Sequence, residues 1–168
     1  MKTFFGLNPV QDYFRIPHPS GILFFMRWFQ SKRFWSTALI GFVLFFNIQA
    51  GIDFFLFPQH YTYAYELIGT PGEVAIAGFG ILFLMWNVPY FFAIWNPTRQ
   101  RLSLIQAVIM QAIGVIGESI ILTRIPSLEH MLLRSSIWRF IIFDSAGLLL
   151  LILALVIILL DKTRLNKK

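Results

Sequence analysis

Long apolar runs alternate with short polar breaks along this chain, and each run is long enough to cross a membrane. Charged residues within the runs are few: Asp53 in the first, Glu73 in the second, Arg99, Arg101 and Glu118 in the third, Arg139 and Asp144 in the fourth. A helix crosses the hydrocarbon layer of a bilayer with about 20 apolar residues. The pattern therefore predicts four transmembrane helices, over 34–57, 72–95, 98–123 and 136–160. The expected fold is all-α, an integral membrane four-helix bundle.

The breaks carry signals of their own. Pro58 ends the first span, and Tyr61, Tyr63 and Tyr65 behind it read as a loop at the bilayer–water boundary, where tyrosine is enriched. Thr70, Pro71 and Glu73 fit a capping box at the start of the second span. Pro89 predicts a kink near that span's other end. Asn96 and Pro97 make so short a turn that spans 2 and 3 are expected to be antiparallel neighbours. After span 3, Ser127 is expected to cap a short surface helix carrying Glu129, His130 and Arg134. Residues 1–33 divide into an irregular stretch broken by Pro9, Pro17 and Pro19 and an aromatic, basic helix lying in the membrane interface. Residues 161–168 form a basic tail.

Composition agrees with the pattern. The chain is 57% hydrophobic and 13% charged, against about 25% charged in an average soluble domain. The net charge of +6 fits anchoring to an anionic leaflet, and nucleic acid is set aside. With no cysteine, thiol–disulfide chemistry and cysteine-ligated metals are excluded. The sequence contains no phosphate-binding loop, nucleophile elbow, HExxH or dinucleotide fingerprint. No cofactor is identified and no metal is expected.

Within span 3, Ala107, Gln111, Gly114 and Glu118 recur at helical spacing on one face. Small and polar residues on one face of a membrane helix mark a helix–helix contact. Gly114 is therefore expected inside the bundle, and Leu151 and Leu155 toward lipid. An ionisable group inside a span is costly and faces protein or a watery cavity. Asp53, Glu73, Glu118 and Asp144 all fall toward one side of the membrane, with Arg124 and Arg139 nearby. Glu73 reads as a capping residue and Asp53 as a solvated group near the interface. Glu118 and Asp144 lie deeper. They are expected either to pair with Arg139 or Arg124, or to be held by Gln111 or a serine, or to line an acidic, outward-facing pocket. His60 and His130 read as surface histidines.

The first span, with Gly41, Gly51 and the ionisable Asp53 just after, resembles the glycine-bearing first helix of small four-span membrane proteins of the DoxX-like group. The resemblance implies a four-span fold. The favoured function is a non-enzymatic accessory subunit, or a binder of a small lipophilic or cationic molecule. The alternatives are an enzyme acting on a lipid or isoprenoid-like substrate with Glu118 and Asp144 as acid–base pair, and a proton-coupled transporter acting as an oligomer. The expected partners are the lipid bilayer and either another membrane protein or further copies of the chain.

Orientation follows from the basic residues. Lys2, Arg15, Arg27, Lys32, Arg33, Arg99, Arg101 and the tail lie on one side, and only Arg124, Arg134 and Arg139 on the other. The positive-inside rule puts both termini in the cytoplasm, and the expected location is a bacterial plasma membrane. Impermeant thiol labelling of intact cells should reach Ala64→Cys or His130→Cys and miss Asn166→Cys. Labelling at 166 reverses the assignment.

Overall fold

The computed structural model describes residues 32–126 and 128–165, with side chains as far as residue 160. These residues are helical and contain no strand. Helix α1 (Lys32–Leu56) is followed by the short α2 (Gln59–Thr62) and a 3-10 turn, Tyr63–Tyr65. Then come α3 (Gly69–Trp86), α4 (Val88–Trp95), α5 (Arg101–Arg124) and α6 (Met131–Leu165). With α3 and α4 counted as one rod, Gly69–Trp95, four rods are long and apolar enough to span a membrane. Their lengths are ample: the 25 residues of α1 extend about 37 Å, against a hydrocarbon thickness of about 30 Å.

Each rod buries a narrow stripe. In α1 it is Ser36, Ile40, Val43, Leu44, Asn47, Gly51 and Phe54, which recur at helical spacing. The outer faces carry exposed Phe42, Phe45, Phe91, Ile113, Ile116 and Leu149. Between 17% and 33% of each rod's most apolar stretch is buried inside the bundle, so packing among the described residues leaves most of that surface uncovered.

The bundle has two unlike halves. Toward the 96–100 turn, α1, α4, α5 and α6 enclose a dense core of Ile40, Val43, Leu44, Tyr90, Ala93, Leu104, Ala107, Leu151 and Ala154. Ser36 donates to the Ala154 carbonyl at 3.1 Å, tying α1 to α6 in this half. Toward the 57–68 loop, α3 packs on α1 and α5 on α6, but α3 and α5 make at most marginal contact.

The division begins at Asn87. Pro89 has no amide hydrogen and its ring crowds the preceding turn, and the helix breaks between Trp86 and Val88. The Asn87 side chain donates to the Phe83 carbonyl at 2.6 Å, and the Asn87 backbone carbonyl accepts from the Phe91 amide at 3.1 Å. The two pieces are fastened to different neighbours. Tyr90 in α4 reaches Ala107 and Gln111 of α5, whereas α3 lies against α1 at Gly80. A Cβ on Gly80 would sit 2.5 Å from the Phe55 nitrogen and 2.6 Å from the Gly51 oxygen. Only a residue without a side chain permits that backbone contact.

The loop end is held by side chains on helix termini. Glu66, in the left-handed region at φ 54°, contacts His130 Nδ1 at 2.5 Å and accepts the Leu133 amide at 3.3 Å. It thereby satisfies one free N–H in the first turn of α6. The His130 contact holds the Glu66 carboxyl below its ordinary range. Arg134 donates to the carbonyls of Leu122 and Ile125 at 2.9 and 2.6 Å, closing the end of α5. Ser136 donates to Ala64 at 2.8 Å.

Several expectations are corrected. Span 2 begins at Gly69, with Ile68 as the N-cap residue and no side-chain cap, so Thr70 and Glu73 do not form a capping box; Glu73 is exposed. Gly69 takes φ +65°, a backbone turn glycine makes without strain. Span 3 begins at Arg101, because Asn96 accepts the amides of Arg99 and Gln100 and uses the intervening residues as a turn. Span 4 begins at Met131, absorbing the expected surface helix, since Glu66 and Arg134 dock that segment on its neighbours. Spans 2 and 3 are neighbours only in the half that includes α4. Leu151 is fully buried in the core and does not face outward. The interfacial helix expected before residue 32 and the Ser127 cap lie outside the described residues.

The Gly80 contact gives a direct test. Gly80→Ala should destabilise the protein by about 2 kcal/mol or more, the range for overpacking a tight contact. Gly78→Ala, whose Cβ meets nothing within 4 Å, should be neutral or stabilising by up to about 1 kcal/mol. Denaturant titration in mixed micelles reads both; equal effects would mean that the α1–α3 contact is not formed.

Candidate functional site

The unclosed half contains a cavity of about 410 Å³. Five elements line it: Asn47 and Phe54 from α1, Tyr65 from the 3-10 turn, Phe79, Leu82, Phe83 and Trp86 from α3, Gln111, Gly114, Glu118 and Ile121 from α5, and Ile137, Phe140 and Asp144 from α6. Aromatic rings form its wall at the loop end. Phe54 packs within 5.6 Å of Phe140 and 6.2 Å of both Tyr65 and Phe83, measured between ring centres. Burial raises the Tyr65 phenol, and the Glu118 carboxylate raises it further, so Tyr65 is a hydrogen-bond donor throughout the neutral range.

The polar groups are arranged by a chain of hydrogen bonds at the cavity floor. Gln111, 2% exposed, accepts from the Tyr90 hydroxyl through Oε1. Its Nε2 donates to Asp144 Oδ1 at 2.9 Å and, at 3.3 Å, to the Asp144 carbonyl. Two glycines make room for this. A Cβ on Gly147 would lie 3.0 Å from Gln111 Nε2, and one on Gly114 would lie 2.8 Å from Asp144 Oδ2. The spaces are filled by polar side chains, whereas the Gly51–Gly80 space is filled by backbone.

Beyond the chain, acceptors are left over. Glu118 Oε2 and Asn47 Oδ1 are both buried and have no hydrogen-bond partner, and both residues line the cavity. Buried polar atoms without partners are rare and costly. The amide of Asn47 can rotate to present its NH₂ instead; a carboxylate has no donor to turn.

Of the residues singled out in the sequence, Glu118, Asp144 and Gln111 come together in this cavity. Asp53, Glu73, Arg124 and Arg139 do not line it. Arg139 is exposed and reaches only its own helix, Ser135 at 3.4 Å and Ser136 at 3.5 Å; Arg124 is exposed at the end of α5. Neither forms the expected ion pair with Glu118 or Asp144, and among the described residues the carboxylate ion pair present is Glu66 with His130. Among the described residues no three His, Cys, Asp or Glu side chains converge as a metal site would require. Sequence reasoning missed Asn47, Tyr65, Tyr90 and the aromatic wall. Asn47, a polar residue deep in an apolar span, was the available signal.

No family model, curated protein or solved structure matches the chain.

The Tyr90–Gln111–Asp144 chain should behave as one unit. Tyr90→Phe and Gln111→Leu should each lower stability by about 0.5–2 kcal/mol, the range for interhelical hydrogen bonds in membranes. The double variant should lose less than the sum of the two. A double-mutant cycle by thermal unfolding in detergent measures this, and strict additivity would break the chain.

Proposed function

We propose that this chain is an integral membrane protein, with both termini in the cytoplasm, that binds a small lipophilic cation in the cavity of its outer half. The observation that carries this reading is the pairing of an aromatic, apolar cavity with two carboxylates that no arginine, lysine or histidine neutralises among the described residues. The Glu118 oxygen left without a partner is an acceptor when the carboxyl is ionised. A protonated amine supplies the complementary donors and charge, and aromatic faces favour a cation further. The cavity volume of about 410 Å³ lies in the range typical of small-molecule sites, about 300–1,000 Å³. In this reading Gln111 is a positioning residue. It fixes one oxygen of Asp144 and leaves the other, beside Gly114, for the ligand. The exposed apolar exterior is lipid-facing surface, and the DoxX-like resemblance is one of architecture.

Ligands of one chain length and different head groups test it in purified protein. Dodecylamine should raise the thermal midpoint by mass action, whereas dodecanol and dodecanoate should not. Glu118→Gln and Asp144→Asn should each weaken amine binding by about tenfold or more, equivalent to at least 1.4 kcal/mol for a charge-assisted contact. Equal stabilisation by all three head groups, or amine binding unchanged in both variants, would refute a carboxylate site.

A further inference from the structure

Among the described residues, the cavity is not closed on its side. Its two flanking helices, α3 and α5, make at most marginal contact with each other. The residues they place along the cavity are also exposed to the exterior: Phe79 by 43% and Leu82 by 57% on α3, and Ile121 by 50% on α5. A residue that both lines a cavity and faces outward marks a mouth. Here the mouth lies between two helices read as crossing the membrane, among apolar side chains, with Ile121 in the last turn of α5. Its cause is the break at Asn87 and Pro89. α4 stays with α5 through Tyr90, while the Gly51–Gly80 contact draws α3 toward α1. The floor beneath the mouth holds Glu118 and Asp144.

We infer that the ligand is a single-chain, membrane-dissolved amine that enters from within the lipid layer between α3 and α5. Its ammonium head lies at Glu118 and Asp144, and its hydrocarbon tail lies in the gap beside Leu82 and Ile121. This rests on the reading of the cavity as a cation site, and adds the ligand's source and shape. The gap gives the tail an apolar seat continuous with the surrounding lipid, so the tail need not be withdrawn from hydrocarbon for the head to bind. Charge complementarity selects an amine over the carboxylate or phosphate heads of other lipids. Asn47, which also lines the cavity and whose Oδ1 is buried without a partner, supplies a further acceptor.

The experiment uses the full chain, which has no native cysteine, in phosphatidylcholine vesicles. The Leu82→Cys/Ile121→Cys variant is either bridged with bis-maleimides of graded length or capped with N-ethylmaleimide. Octadecylamine carrying a nitroxide on its chain is the probe. Entry is read as quenching of Trp86, which lines the cavity, with Trp86→Phe as the background. Capped protein sets the reference rate, and bridged protein should be quenched at least tenfold more slowly than capped protein. Equal rates in bridged and capped protein would overturn lateral entry while leaving the cation site standing. Absence of Trp86-dependent quenching in the wild type would remove the site itself. A second measurement needs no bridge: octadecylamine with a diazirine on its chain should photolabel Leu82 and Ile121 selectively, less so after Glu118→Gln. Labelling spread evenly over Phe42, Phe91 and Leu149 would overturn the proposal.

Discussion

Pro89 cannot donate a backbone hydrogen bond, and the rod that contains it is therefore two helices and not one. Much of the rest follows from how the pieces are secured. On one side of the break, Tyr90 joins α4 to α5 and completes a closed ring of four helices around an aliphatic core. On the other, the Gly51–Gly80 backbone contact commits α3 to α1. A straight helix held at both points would have had to follow a single neighbour. The broken one follows two, and the space between α3 and α5 is the consequence.

In the closed half Ser36 donates to Ala154 and Tyr90 to Gln111 and Ala107, while Asn87 Oδ1 at the break and Arg101 Nε beside the 96–100 turn are buried without a partner. Gln111 sits at the boundary and spends its second group on Asp144. Beyond it, Glu118 and Asn47 hold acceptor atoms that nothing in the described chain satisfies. Because a buried acceptor without a donor is destabilising, the open half has a standing preference for a molecule that brings donors. In the proposed reading, stability and binding are assigned to different ends of the same four rods.

The loop end shows how the open half keeps its shape although α3 and α5 do not pack on each other. Glu66 serves the first turn of α6, Arg134 the last turn of α5, and Ser136 the 3-10 turn that carries Tyr65. Each bond crosses between segments and satisfies a terminal backbone group that a helix cannot pair internally. The frame around the cavity is consequently polar at its rim and aromatic inside.

Four spans, their approximate limits, the break near Pro89 and the inward face of Ala107, Gln111, Gly114 and Glu118 are legible in the sequence, because apolar length, missing amide hydrogens and helical periodicity are local properties. So is the isolation of Glu118 as the one ionisable group between Arg101 and Arg124. What partners an acid is decided elsewhere in the chain. Arg124 and Arg139 match Glu118 and Asp144 in rough depth, yet the rotation of their helices turns them outward. Leu151 and Leu155 look alike in an unbroken apolar run with no polar marker of its inner face, and only packing buries the first completely. Glu66 reads as an ordinary loop residue until its loop folds across the start of α6. The cavity was least legible of all, because it is made by a contact that fails to form between two helices, and no single segment of sequence records the distance to another.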